Sequence, residues 1–139
     1  MRNSKPILLV EDDRVDAILV KRAFESLKVI NPLVNCSDGE EALDYLRNHN
    51  NKKPGIILLD LNMPKMDGLE FLKVIKADDD LRKIPVIVLT TSDDERDITE
   101  SFKHGIAGYM VKALDNKGFV ETIRIIDQYW TLSELPNGD

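Results

Sequence analysis

Three short runs, at positions 7–10, 56–59 and 86–89, are apolar at every residue and rich in β-branched side chains. Strict alternation would mark strands wetted on one face. Unbroken runs of this length suit strands buried on both faces, as in a parallel sheet covered by helices. Leu33-Val34 and Tyr109-Met110-Val111 are weaker strand candidates. Helical periodicity fills the intervals. Val15, Ile18, Leu19 and Arg22 share one side of a first helix, and Ala42, Leu43 and Leu46 one side of a second that opens at Ser37-Asp38-Gly39. Leu69, Leu72 and Ile75 mark a third helix, Ile98 and Phe102 a fourth, and Phe119, Ile123, Ile126 and Trp130 a fifth. Gly105 reads as the stop of the fourth and Asp115 as the cap of the fifth. Five strand-then-helix units predict an α/β doubly wound fold, a five-stranded parallel sheet flanked by five helices with right-handed crossovers. The expected domain spans residues 5–131, with a polar connection at 48–55 and a C-terminal tail at 132–139.

With 139 residues the chain suits one compact domain. Its 19 Lys and Arg against 25 Asp and Glu leave a net charge of −6, the wrong sign for a surface that neutralises nucleic-acid phosphates. The single cysteine, Cys36, forms no internal disulfide and builds no Cys-based zinc site. Apolar runs of four residues fall far short of the ~20 a membrane span needs, and the first residues show no signal-peptide pattern. The expected location is the cytoplasm.

In a sheet of this kind, ligands sit beyond the carboxyl ends of the strands. The first strand ends at Glu11-Asp12-Asp13, the third at Asp60, the fourth at Thr90-Thr91-Ser92 and the fifth at Lys112. Acidic groups, a hydroxyl and a lysine are thus expected on one rim. No glycine-rich dinucleotide turn and no Walker motif is present, and His49 and His104 fall elsewhere. Asp13 reads as a helix-start carboxylate favoured by the helix dipole. Asp12 and Asp60 repel one another unless a cation joins them, and an all-oxygen cluster favours Mg²⁺ over zinc. Lys112, at the end of a buried strand, is expected to pair with the acidic group.

The segments 7–13, 58–68 (Leu58-Leu59-Asp60-Leu61-Asn62-Met63-Pro64-Lys65-Met66-Asp67-Gly68), 85–92 and 108–112 resemble the receiver domains of two-component response regulators. Within that family the chain is most similar to stand-alone regulators paired with bacterial and cyanobacterial phytochromes. The resemblance implies a flavodoxin-like fold and a phosphoacceptor role for Asp60, served by a sensor histidine kinase of the phytochrome kind. It implies Asp12 and Asp60 as direct Mg²⁺ ligands, Glu11 acting through water, and the Asn62 backbone carbonyl completing the metal shell. It also implies that Lys112 pairs with phosphoryl oxygens, that Thr90 follows the phosphate, and that Tyr109 is the switch aromatic. Taking three carboxylates and one ammonium as charged, the rim carries −2, which one Mg²⁺ would cancel before a phosphoryl group approaches.

One position departs from the family, which usually carries proline after the lysine on a cis peptide. Here the residue is Ala113. The surrounding loop otherwise fits, so the expectation is a cis Lys112–Ala113 bond, with Lys112 directed at the rim whichever isomer forms. In the last helix Ile125, Tyr129 and Leu132 form a second apolar cluster, roughly 80–140° from the first stripe. It predicts a homodimer through the fourth helix, fifth strand and fifth helix. Two rival functions fit the residues less well. An aspartate-nucleophile phosphatase would need a second carboxylate where Asn62 stands, and a non-phosphorylated pseudo-receiver sits poorly with an intact Glu11, Asp12, Asp60, Thr90 and Lys112 set. The expectation is a signalling protein rather than an enzyme, with output through protein contacts.

Overall fold

The computed structural model describes residues 4–133. The three apolar runs are strands β1 (Ile7–Val10), β3 (Ile56–Leu59) and β4 (Val86–Thr90), and the weaker candidates are β2 (Leu33–Cys36) and β5 (Gly108–Val111). All pair in parallel in the order β2-β1-β3-β4-β5. Five α-helices connect and flank them: α1 (Arg14–Ser26), α2 (Gly39–Arg47), α3 (Gly68–Lys76), α4 (Glu95–Lys103) and α5 (Asn116–Leu132). This is the doubly wound arrangement that the alternation of runs predicts, and the flavodoxin-like fold that the resemblance implies.

The unbroken runs follow from burial on both faces. Leu8, Val10, Ile57, Leu59, Val86 and Val88 pack into one core with α2 and α3. Their neighbours Ile7, Leu9, Ile56, Leu58, Ile87 and Leu89 pack into the other with α1 and α5. A strand with helices on both sides has no wet face, so no polar residue alternates in. Phe119, Ile123, Ile126 and Trp130 are the buried stripe of α5, as their spacing predicts.

Each α-helix opens on an aspartate. The carboxylates of Asp13, Asp38, Asp67, Asp94 and Asp115 accept from backbone N–H groups two or three residues on. These bonds satisfy donors that the first turn leaves unpaired. Gly105, at φ +77°, follows the last turn of α4 in the left-handed conformation suited to a glycine stop.

Two expectations need correction. Val15, Ile18 and Arg22 of α1 face solvent, Val15 being 66% exposed and Ile18 48%. The helix instead buries Val20, Ala23 and Phe24, with Leu19 and Leu27 packed beside them. It carries two apolar stripes, and spacing alone does not say which one meets the sheet. On α4, Phe102 is 50% exposed and Ser101 is fully buried. The Ser101 hydroxyl donates to the Asp97 carbonyl at 2.7 Å, so it enters the interior with its hydrogen bond made. Leu132 is the last residue of α5, and residues 134–139 of the expected tail lie outside the described residues.

The chain leaves β1 toward β2 on one side, and β3 lies on the other side of β1. Connections after β1 and β3 therefore part at the carboxyl ends, which opens a crevice there.

Candidate functional site

Three residues just past the strand ends keep the sheet's pairing. Glu11 N–H donates to the Cys36 carbonyl at 2.9 Å, Asp60 N–H to the Val10 carbonyl at 3.0 Å, and Lys112 N–H to the Thr90 carbonyl at 2.7 Å. Ladder bonds hold the backbones, so the side chains are delivered to the rim by the sheet itself. Glu11 and Asp60 are buried there, and Asp12 is exposed at its mouth. One carboxylate oxygen from each of Glu11, Asp12 and Asp60 lies within 4.8 Å of the others. Asp13 turns away to cap α1, accepting from Val15 and Asp16 N–H at 2.9 and 3.0 Å.

The Lys112 ammonium points into the cluster. Its Nζ lies 2.5 Å from Glu11 Oε1, 2.8 Å from Asp16 Oδ2 and 3.8 Å from Asp60 Oδ2. The Lys112–Ala113 bond is trans, contrary to expectation. Without proline the cis isomer costs about 2.5–4 kcal/mol, and here the lysine's direction is held by its carboxylate partners. Asp16 was not among the residues expected at the rim. It lies four residues before Val20 on the buried stripe of α1, so the choice of the wrong stripe concealed it.

Burial pushes the Glu11 carboxyl up to about 7; the charge of Asp60 adds to this, while the hydrogen bond and charge of Lys112 oppose it. Burial alone would lower the Lys112 pKa. Hydrogen bonds to Asp16 and Glu11, with the charges of Glu11 and Asp60, outweigh it and leave the ammonium's pKa raised. The rim thus carries more negative charge than one lysine relieves. Hard oxygen donors in close array with surplus negative charge fit a small divalent cation.

Thr90 is fully buried at the end of β4, its Oγ accepting from Ser92 N–H at 3.4 Å. Tyr109 on β5 is half-buried, and its hydroxyl donates to the Ser92 carbonyl at 2.9 Å. Asn62 is exposed, and its N–H donates to Asp60 Oδ1 at 3.4 Å. Gly68, the first residue of α3, passes so close to the chain after β3 that a Cβ there would lie 2.5 Å from the Asp60 carbonyl oxygen. Ile125, Tyr129 and Leu132 sit apart from the rim, exposed on α5.

The pattern of the response regulator receiver domain matches residues 7–124. This chain belongs to that family. It is 42% identical over 127 residues to the probable methanogenesis regulatory protein FilR2 of Methanothrix harundinacea, covering 89% of this chain and 82% of that protein. Over 130 residues it is 38% identical to the response regulator Rcp1 of Synechocystis, covering 91% and 88% of the two. The Mn²⁺-bound crystal structure of Rcp1 superimposes with a TM-score of 0.88 at 37% identity, covering 95% of this chain and 99% of that one. The phosphorylated cyanobacterial phytochrome response regulator RcpA superimposes at 0.91 with 38% identity, covering 97% and 100%. The receiver domain is a signalling module of two-component systems, and among the described residues of this one no helix is long and apolar enough to cross a membrane.

Proposed function

We propose that this receiver domain, over residues 5–131, is a stand-alone response regulator that takes a phosphoryl group on Asp60 from a histidine kinase of the phytochrome type. The observation that carries this is the close Glu11–Asp12–Asp60 cluster with Lys112 on it. The phytochrome pairing is drawn from the likeness to RcpA and Rcp1. An Asp60 carboxylate oxygen forms the new P–O bond as the P–N bond of the donor phosphohistidine breaks, its electron pair remaining on the imidazole nitrogen. Asp12, Asp60 and the Asn62 carbonyl would hold Mg²⁺, with Glu11 acting through water. Bound there, the ion supplies positive charge against the phosphoryl oxygens. Lys112 supplies a second positive charge, and Thr90 a hydroxyl donor.

A hydroxyl drawn toward the phosphate leaves space behind it, and Tyr109 is the side chain placed to turn inward. That rearrangement couples a covalent event to the β4–β5 surface, where α4, β5 and α5 form the proposed homodimer contact through Ile125, Tyr129 and Leu132. Output is by protein contacts rather than by nucleic-acid binding or turnover of an external substrate, and the protein works in the cytoplasm. Mass spectrometry after incubation with acetyl phosphate and Mg²⁺ tests the centre of this function. One phosphoryl group is expected on the wild type and none on Asp60→Asn. Labelling that survives Asp60→Asn, or that is indifferent to chelator, would defeat it.

A further inference from the structure

Resting on the function above, we propose that Asp16 is a positioning residue for Lys112, holding the ammonium at the rim before any phosphoryl group arrives. Lys112 has three N–H donors. Glu11 takes one at 2.5 Å and Asp16 another at 2.8 Å, and both bonds are shorter than the 3.8 Å approach to Asp60. With two donors anchored on Glu11 and Asp16, the third is left to face Asp60. That is the direction from which it would meet a phosphoryl oxygen.

Asp16 suits this role because it is itself held. Its N–H is bonded to the Asp13 cap at 3.0 Å, which sets the first turn of α1. The same face carries Val20, Ala23 and Phe24 into the core, so the helix cannot rotate the carboxylate away without exposing them. Among the described residues its carboxylate pairs with Lys112. The carboxylates close enough to share a cation, among the described residues, are those of Glu11, Asp12 and Asp60, and Asp16 is outside that group. The chain beyond Lys112 offers no competing support. The bond to Ala113 is trans, and Leu114 is fully exposed. The lysine's aim therefore comes from α1, 96 positions earlier in sequence, rather than from its own loop.

Two measurements separate this from a general structural role. In metal-free protein, the Lys112 ammonium should give an observable, exchange-protected ¹⁵N–¹H signal that persists in Asp16→Asn and disappears in Asp16→Ala. With acetyl phosphate and Mg²⁺, Asp16→Ala should slow labelling of Asp60 about tenfold, the scale of one hydrogen bond to a charged group, and Asp16→Asn should recover most of that. In a Lys112→Met background the further change to Asp16→Ala should alter the rate less than twofold. A Lys112 signal unchanged by Asp16→Ala, or an equal slowing with and without Lys112, overturns the proposal. Absence of any labelling in the wild type would instead overturn the phosphoacceptor function, leaving the metal-free signal to decide the role of Asp16.

Discussion

The Tyr109 hydroxyl is tied to the Ser92 backbone carbonyl at 2.9 Å, across the gap between β5 and the connection that follows β4. Ser92 is itself fastened to α4, its hydroxyl donating to Asp97 Oδ2 at 2.6 Å. An inward turn of Tyr109 must break the first of these bonds. Tyr109→Phe removes it at a cost of about 1 kcal/mol to the outward state. The inward population of the unphosphorylated protein should rise about fivefold, read from the methyl resonance of Thr90.

The raised Glu11 pKa gives a pH dependence of defined sign. A carboxyl at about 7 in the folded chain against 4.5 in the reference state keeps its proton longer when folded. Its contribution to stability is present in full below about 4.5 and is lost as pH rises through about 7. In metal-free protein the urea midpoint should fall across that window, by no more than about 1.4 kcal/mol per pH unit for one proton. Glu11→Gln should lack this component. Stabilisation by added Mg²⁺ should be larger at pH 8 than at pH 5.5, because the ion competes with the proton for the same charge.

Gly68 is predicted to be intolerant of any side chain. A Cβ would meet the Asp60 carbonyl oxygen at 2.5 Å and the Leu61 Cα at 2.6 Å, both backbone atoms that cannot swing aside. Gly68→Ala should destabilise by about 1–3 kcal/mol in denaturant melts and slow labelling of Asp60 by displacing its backbone. Gly108→Ala is the control, since nothing lies within 4 Å of a Cβ there.

The α5 surface yields a test of assembly. Ile125 is 46% exposed, Tyr129 37% and Leu132 81%, on the side of the helix away from its buried stripe. The double change Ile125→Glu with Tyr129→Glu should convert a sedimenting dimer into a monomer that still accepts phosphate at Asp60. A wild-type protein that sediments as a monomer at tens of micromolar, with and without phosphate, would remove the proposed contact.

Read along the chain, the sequence was sufficient wherever the governing physics is local or periodic. Runs apolar at every residue require helices on both faces, which specified the parallel sheet and, through it, the rim where Glu11, Asp60 and Lys112 emerge. An aspartate at a helix start satisfies N–H groups two or three residues away, so Asp13 and Asp115 were readable as caps. Tertiary structure alone decided which of two apolar stripes of α1 turned inward, because both have helical spacing and only packing on the sheet distinguishes them. The same choice brought Asp16 to Lys112, a contact no local rule contains. On α4 Phe102 stays outside and Ser101 is buried, its hydroxyl bonded to the Asp97 carbonyl. The trans Lys112–Ala113 bond belongs with these, since the lysine is aimed by carboxylates from distant parts of the chain rather than by the peptide that follows it.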